Sequence, residues 1–137
     1  MRTPRRGDGW EGLPAHFRHE RASLARAGVA TWDALAALSA DRLRDLARHG
    51  QASEARLLRL RAQARLLAAA DLAPEEASLL MHAGIADPLA LATAQPEQVV
   101  VRVNRLWRRL LGDDAPPLTL ATVRRWIQAA ASSRSLN

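Results

Sequence analysis

The chain has no cysteine, no lysine and no tyrosine, and its only phenylalanine is Phe17. Without cysteine, disulfides, thiolate nucleophiles and zinc–thiolate sites are all excluded. The catalytic inventory is thin as a consequence, and no Gly-rich phosphate loop makes up for it. No apolar run approaches the roughly 18 residues of a membrane span. The opening "MRTPRRGDGW" is basic but has no apolar stretch after it, so it does not read as a secretory signal, and a cytoplasmic protein is expected.

At 137 residues the chain is long enough for a single domain with its own core. Its 48% hydrophobic and 25% charged residues describe a globular protein and not a disordered one. All twenty basic residues are arginine, and the net charge is +6. A GC-rich genome would produce this bias with no function behind it. A need for bidentate recognition of phosphate or carboxylate would also produce it, because the guanidinium is shaped for that task. The charge permits nucleic-acid binding without demonstrating it.

Alanine and leucine dominate while β-branched and aromatic residues are few, which predicts an all-α fold. Pro14, Pro74, Pro88 and Pro96 suit first helical positions, where the missing N–H costs nothing. Thr31, Ser39, Ser53, Asp87 and Thr119 suit N-caps. Glu75 and Glu76 place negative charge in a first turn, and Gly28 and Gly84 suit left-handed helix ends. The expected helices cover about 14–27, 32–38, 40–48, 54–69, 74–83, 88–103 (broken near Pro96) running on to 111, and 120–131. Residues 112–117 are expected to form a loop, because Pro116 and Pro117 cannot continue a helix.

Two stretches match one another. "RAGVATWDALA" begins at Arg26 and "HAGIADPLALA" at His82, so that Gly28 is separated from Gly84 by the same stretch of chain as Leu35 from Leu91. The unit is a helix ending in Ala-Gly, then two capped helices, and it is too short to bury its apolar stripe alone. The expected layout is a disordered basic arm at 1–9 and one compact domain at 10–131. Within the domain, repeat one covers about 12–50, a connector 53–70, repeat two about 71–111 and a closing helix 120–131, with a frayed tail at 132–137.

"DLAPEEASLLMHAGI", residues 71–85, resembles a helix-hairpin-helix motif, with its Ala-Gly-Ile ending and small Ala77. With "PPLTLATVRRWIQAA" after it, the chain resembles the tandem helix-hairpin-helix proteins of domain-of-unknown-function family 4332 over about residues 12–131. A Pro-containing loop followed by a closing helix with Trp-Ile, here Trp126 and Ile127, belongs to that resemblance. It implies two pseudo-symmetric hairpin units. A DNA-binding hairpin of this kind carries Gly-hydrophobic-Gly, so that backbone N–H groups approach a phosphate. The matching positions here are Ala15, His16 and Phe17 in the first hairpin and Asp71, Leu72 and Ala73 in the second. Neither has the glycines, Asp71 would repel a phosphate, and Pro74 has no N–H to offer. The expectation is that the hairpins are kept for shape.

The best candidate surface is "VVVRVNRLWRRLL", residues 99–111. At about 100° per residue, Val99, Val103, Leu106, Trp107 and Leu110 share one face, and Arg102, Arg105, Arg108 and Arg109 gather opposite. That stripe, with Arg124 and Arg125, would track a nucleic-acid backbone or dock an acidic protein; it would equally be an ordinary solvated face. The connector's Arg56, Arg59, Arg61 and Arg65 divide between two sides, which reads as structural snorkelling. Trp32, Trp107 and Trp126 read as core, with base stacking as the sharper alternative, and Trp10 as an anchor of the arm to the domain or to a partner. His16 and His19 share a helix face, but nothing nearby completes a metal site. Glu75/Glu76 and Asp113/Asp114 are sequence neighbours and do not form an acid–base pair. The expectation is a non-enzymatic binding module without cofactor, metal, membrane association or small-molecule substrate. Its partner is a protein in the first reading, and DNA or RNA, bound without sequence preference through the arginine face, in the second.

Overall fold

The computed structural model of the chain describes residue 13, residues 15–112 and residues 118–135. Among them the regular structure is helical throughout. A 3-10 turn, Ala15–Phe17, leads into α1 (Arg18–Arg26), α2 (Trp32–Ala36), α3 (Ala40–Arg48) and α4 (Glu54–Ala70). Then come α5 (Pro74–His82), α6 (Pro88–Ala92), α7 (Pro96–Leu111) and α8 (Leu120–Ser135). The stretch expected to run from 88 to 111 is thus two helices. Pro96 occupies the first position of α7, and α6 has already ended at Ala92. The closing helix runs to Ser135, beyond the expected end at 131 and into the stretch expected to fray.

The capping chemistry is local and legible. Thr31 Oγ1 accepts from Ala34 N–H (3.1 Å), Ser39 Oγ from Arg42 N–H (3.1 Å) and Ser53 Oγ from Arg56 N–H (3.3 Å). Asp87 Oδ1 accepts from Ala90 N–H (2.7 Å) and Thr119 Oγ1 from Thr122 N–H (3.3 Å). Each bond satisfies an N–H that the first turn leaves without a helical partner.

Helices α1 and α5 end identically. Val29 N–H donates to Leu24 O and Gly28 N–H to Ala25 O; at the end of α5, Ile85 N–H donates to Leu80 O and Gly84 N–H to Met81 O. This paired bonding is the Schellman motif, which requires a left-handed residue after the helix. Gly28 (φ +83°) and Gly84 (φ +96°) supply it. Leu24, Val29, Leu80 and Ile85 are all buried, so the apolar contact that accompanies this motif lies within the core at both ends.

Helix α4 is the hub, packing against α2, α3, α5 and α8, while α8 also covers α6 and α7. Leu57, Leu60, Ala64, Leu66, Leu67, Ala69 and Ala70 are buried, so α4 is enclosed on most of its circumference, not along one stripe. Trp32 from α2, Leu43 from α3, Leu80 from α5, Leu91 from α6, Val103 from α7 and Val123 from α8 join it in a single core. Each such aliphatic side chain contributes about 1.5–3 kcal/mol on burial. The expected core roles of Trp32 and Trp126 are observed, and Trp107 packs half-buried against the same cluster. No helix of the described residues is long and apolar enough to cross a membrane.

Candidate functional site

Helix α7 carries the candidate surface. Val99 and Val103 face the core, Leu106 and Trp107 are half-buried, and Arg102, Arg105, Arg108 and Arg109 are all exposed. On a helix of about 100° per residue the four arginines fall within an arc of about 120°. One assignment to the apolar face is corrected: Leu110 is 66% exposed, because α7 has passed beyond the packed core by its last turn. Val101, 53% exposed, lies within the arginine arc between Arg105 and Arg108.

Among the described residues these four arginines have no carboxylate partner. On α3, Arg42 Nη1 stands 3.3 Å from Asp45, and Arg44 contacts Asp41 (3.7 Å) and Glu54 (3.4 Å). By contrast Arg102, Arg105 and Arg109 form no ion pair among the described residues, and Arg108 reaches only the Asn104 carbonyl at 3.4 Å. The two arginines of α8 differ from them. Arg124 lies 3.8 Å from Glu97 at the start of α7, and Arg125 donates to Thr122 Oγ1 at 3.3 Å, along its own helix. The structure therefore separates a set without carboxylate partners on α7 from an α8 pair already engaged.

Asn104 fixes where α7 meets the start of α8. Its Oδ1 accepts from Leu118 N–H (2.8 Å) and its Nδ2 donates to Leu118 O (3.2 Å), two bonds that close the connection from both sides. Trp107 Nε1 is buried beside this region without an acceptor among the described residues.

At the positions expected to form the second hairpin an anion would meet a carboxylate and an occupied amide. Asp71 takes the left-handed conformation (φ 53°, ψ 46°) at the end of α4 and presents a carboxylate at the surface. Leu72 is buried, and Ala73 N–H is already taken, donating to Glu76 Oε1 at 2.8 Å. Glu76 thus caps α5 by reaching back to the residue before it, which is more specific than the dipole match read from sequence. At the positions expected to form the first hairpin His16 is exposed, Phe17 is buried and the His16 carbonyl accepts from Arg56 Nη1 (2.8 Å). The side chain of Ala15, like Trp10, Asp113, Asp114 and the arm at 1–9, lies outside the described residues.

Sequence reasoning missed the charged group at the centre of this end of the molecule. Glu20 is 1% exposed; its Oε2 accepts from Ser53 N–H at 2.9 Å, and its Oε1 lies 3.9 Å from Arg56 Nη1. The same guanidinium sits 6.0 Å from the centroid of the Phe17 ring. One signal was present: Glu20 and Glu76 stand at the same distance before Gly28 and Gly84, each the third residue of its helix. Two connector arginines also have partners that spacing did not reveal. Arg61 Nη1 donates to Leu38 O (3.0 Å) and Arg65 Nε to Ala36 O (3.2 Å), so both cap the carbonyl end of α2, where a cation is favoured. Burial, and then the like charge of Arg65, lower the pKa of Arg61, but a guanidinium stays protonated through any ordinary pH.

His49 and His82 stand at helix ends, each with Nδ1 2.8 Å from the carbonyl four residues earlier, Asp45 O and Ser78 O. No group of three or more His, Asp or Glu side chains among the described residues is placed to hold a metal ion.

The family model described as Domain of unknown function (DUF4332) matches residues 14–133, and the chain belongs to that family. No curated protein and no solved structure matches the chain.

Proposed function

We propose that this protein is a non-enzymatic binding module, built of two degenerate helix-hairpin-helix units around α4, that docks an acidic protein partner through α7. The recurrence of the same helix end and the same capped short helix at a constant spacing supports the two-unit description. One observation carries the functional reading: Arg102, Arg105 and Arg109 are exposed along one face of α7 without a carboxylate among the described residues, while Arg42 and Arg44 of α3 are paired with carboxylates. Val101, exposed among them, favours a protein over a phosphate backbone, since arginine interleaved with apolar side chains is the composition of protein interfaces. The occupied hairpin amide at Ala73 points the same way, because it removes a phosphate contact.

The test is recovery of partners from cell extract by the wild-type protein and by the Arg105→Glu/Arg109→Glu variant, each with and without nuclease. The reading expects a defined acidic protein in stoichiometric amount, insensitive to nuclease and lost with the variant. Loss on nuclease treatment would transfer the same arginine face to DNA or RNA, whose binding would then weaken steeply with salt.

A further inference from the structure

A cleft of about 210 Å³ between the 3-10 turn, α4 and α5 is separate from the α7 face. Three elements converge on it. Helix α4 contributes Arg59 and Gln63, α5 contributes Ser78 and His82, and the turn contributes His16. Gln63, only 6% exposed, is pinned by its Nε2–H to the Pro74 carbonyl at 2.9 Å, so the cleft has a fixed floor. Nδ1–H of His82 donates to Ser78 O, which orients that imidazole and turns Nε2 outward, where it donates to an anion in the imidazolium form. His16 rests against Phe17, with ring centroids 4.3 Å apart, and Phe17 and Met81 form an apolar wall.

The electrostatics are one-sided. Among the described residues Arg59 has no ion pair and no carboxylate lines the cleft. A second hollow, at Ser23, Arg26, Arg42 and His49, has a similar basic lining. There Asp45 fills the role of the anion, 3.3 Å from Arg42 and 3.6 Å from His49. The cleft at Arg59 has a guanidinium and two imidazoles, and among the described residues no internal anion.

We propose that this cleft binds a small phosphomonoester, with Arg59, Ser78 and the two imidazoles around the phosphate and the apolar body against Phe17 and Met81. A guanidinium, a hydroxyl and two ring nitrogens approaching from three elements match the three terminal oxygens of a phosphate better than the two of a carboxylate. The volume is below the roughly 300–1,000 Å³ of pockets for drug-sized ligands, which limits the body to about one ring.

The experiment is an NMR titration of the histidine ring signals with phenyl phosphate, inorganic phosphate and benzoate. Phenyl phosphate is expected to shift His16 and His82 saturably at millimolar concentration, at least about tenfold more tightly than either control. Arg59→Gln is expected to weaken it by a further factor of about ten, and Ser78→Ala by less, with thermal melts confirming that both variants fold. His49 should not move. Equal shifts at His49, benzoate binding as tightly as phenyl phosphate, no saturable shift, or full binding by Arg59→Gln would each overturn the proposal.

Discussion

Replacing Gly28 or Gly84 with alanine isolates a single physical effect. A Cβ built on either residue meets nothing within 4 Å, so there is no steric clash with neighbours to pay for. What remains is the backbone: φ is +83° at Gly28 and +96° at Gly84, a region in which a side chain costs about 1–2 kcal/mol. The two Schellman ends have the same bonds, so the two penalties should be equal. The sites are far apart in sequence and share no hydrogen bond, and the double variant should therefore lose about 2–4 kcal/mol additively. For a chain of this size each kcal/mol lowers Tm by about 4 °C. Asparagine, which tolerates the left-handed region, should recover part of the loss at either position. Urea denaturation of the two single variants, the double and the two asparagine variants measures all of this. A single loss above about 4 kcal/mol would mean that the Cβ does meet an obstacle. A loss within about 0.3 kcal/mol of zero would mean that the chain does not turn there with positive φ, and the account of both helix ends would fall.

Two further outcomes follow from the buried polar contacts. Glu20→Ala should cost about 3 kcal/mol in denaturant unfolding, since it removes a charge-assisted bond to Ser53 N–H and leaves a cavity, whereas Arg56→Ala should cost about 1 kcal/mol because that guanidinium is half exposed; equal small losses would refute the burial of Glu20. Asn104→Ala should cost about 1–2 kcal/mol through its two bonds to Leu118, and amide hydrogen exchange should quicken at Leu118 and in the first turn of α8 but not in α2. Unchanged exchange at Leu118 would remove Asn104 from its place between α7 and α8.

The helices were legible wherever a signal acts on its own neighbours. Thr31, Ser39, Ser53 and Asp87 start their helices because a side-chain oxygen reaches an N–H three residues on, a contact that needs no tertiary partner. Pro96 was read as a break, yet the sequence left open whether α6 and α7 were one bent helix or two; the separation at 93–95 shows two. Leu110 was misplaced for a related reason. Helical period assigns it to the face of Val99 and Val103, but period says nothing about where the surface to be covered ends.

Charge was the least legible property. The twenty arginines look alike in sequence, and only the packing sorts them by the carboxylates and carbonyls that come within reach. Arg42 and Arg44 are neutralised, Arg61 and Arg65 hold the end of α2, and Arg56 serves Glu20. Arg59, Arg102, Arg105 and Arg109 are left facing solvent or a cleft. By itself the sequence determined the helices, their caps and the glycine turns that recur at Gly28 and Gly84, because each depends on bonds between near neighbours in the chain. The pairs of Arg42 with Asp45 and of Arg44 with Asp41 are likewise local, but the tertiary structure alone decided that Glu20 is buried and which carbonyls and carboxylates Arg56, Arg61 and Arg65 reach, because those partners lie tens of residues away along the chain.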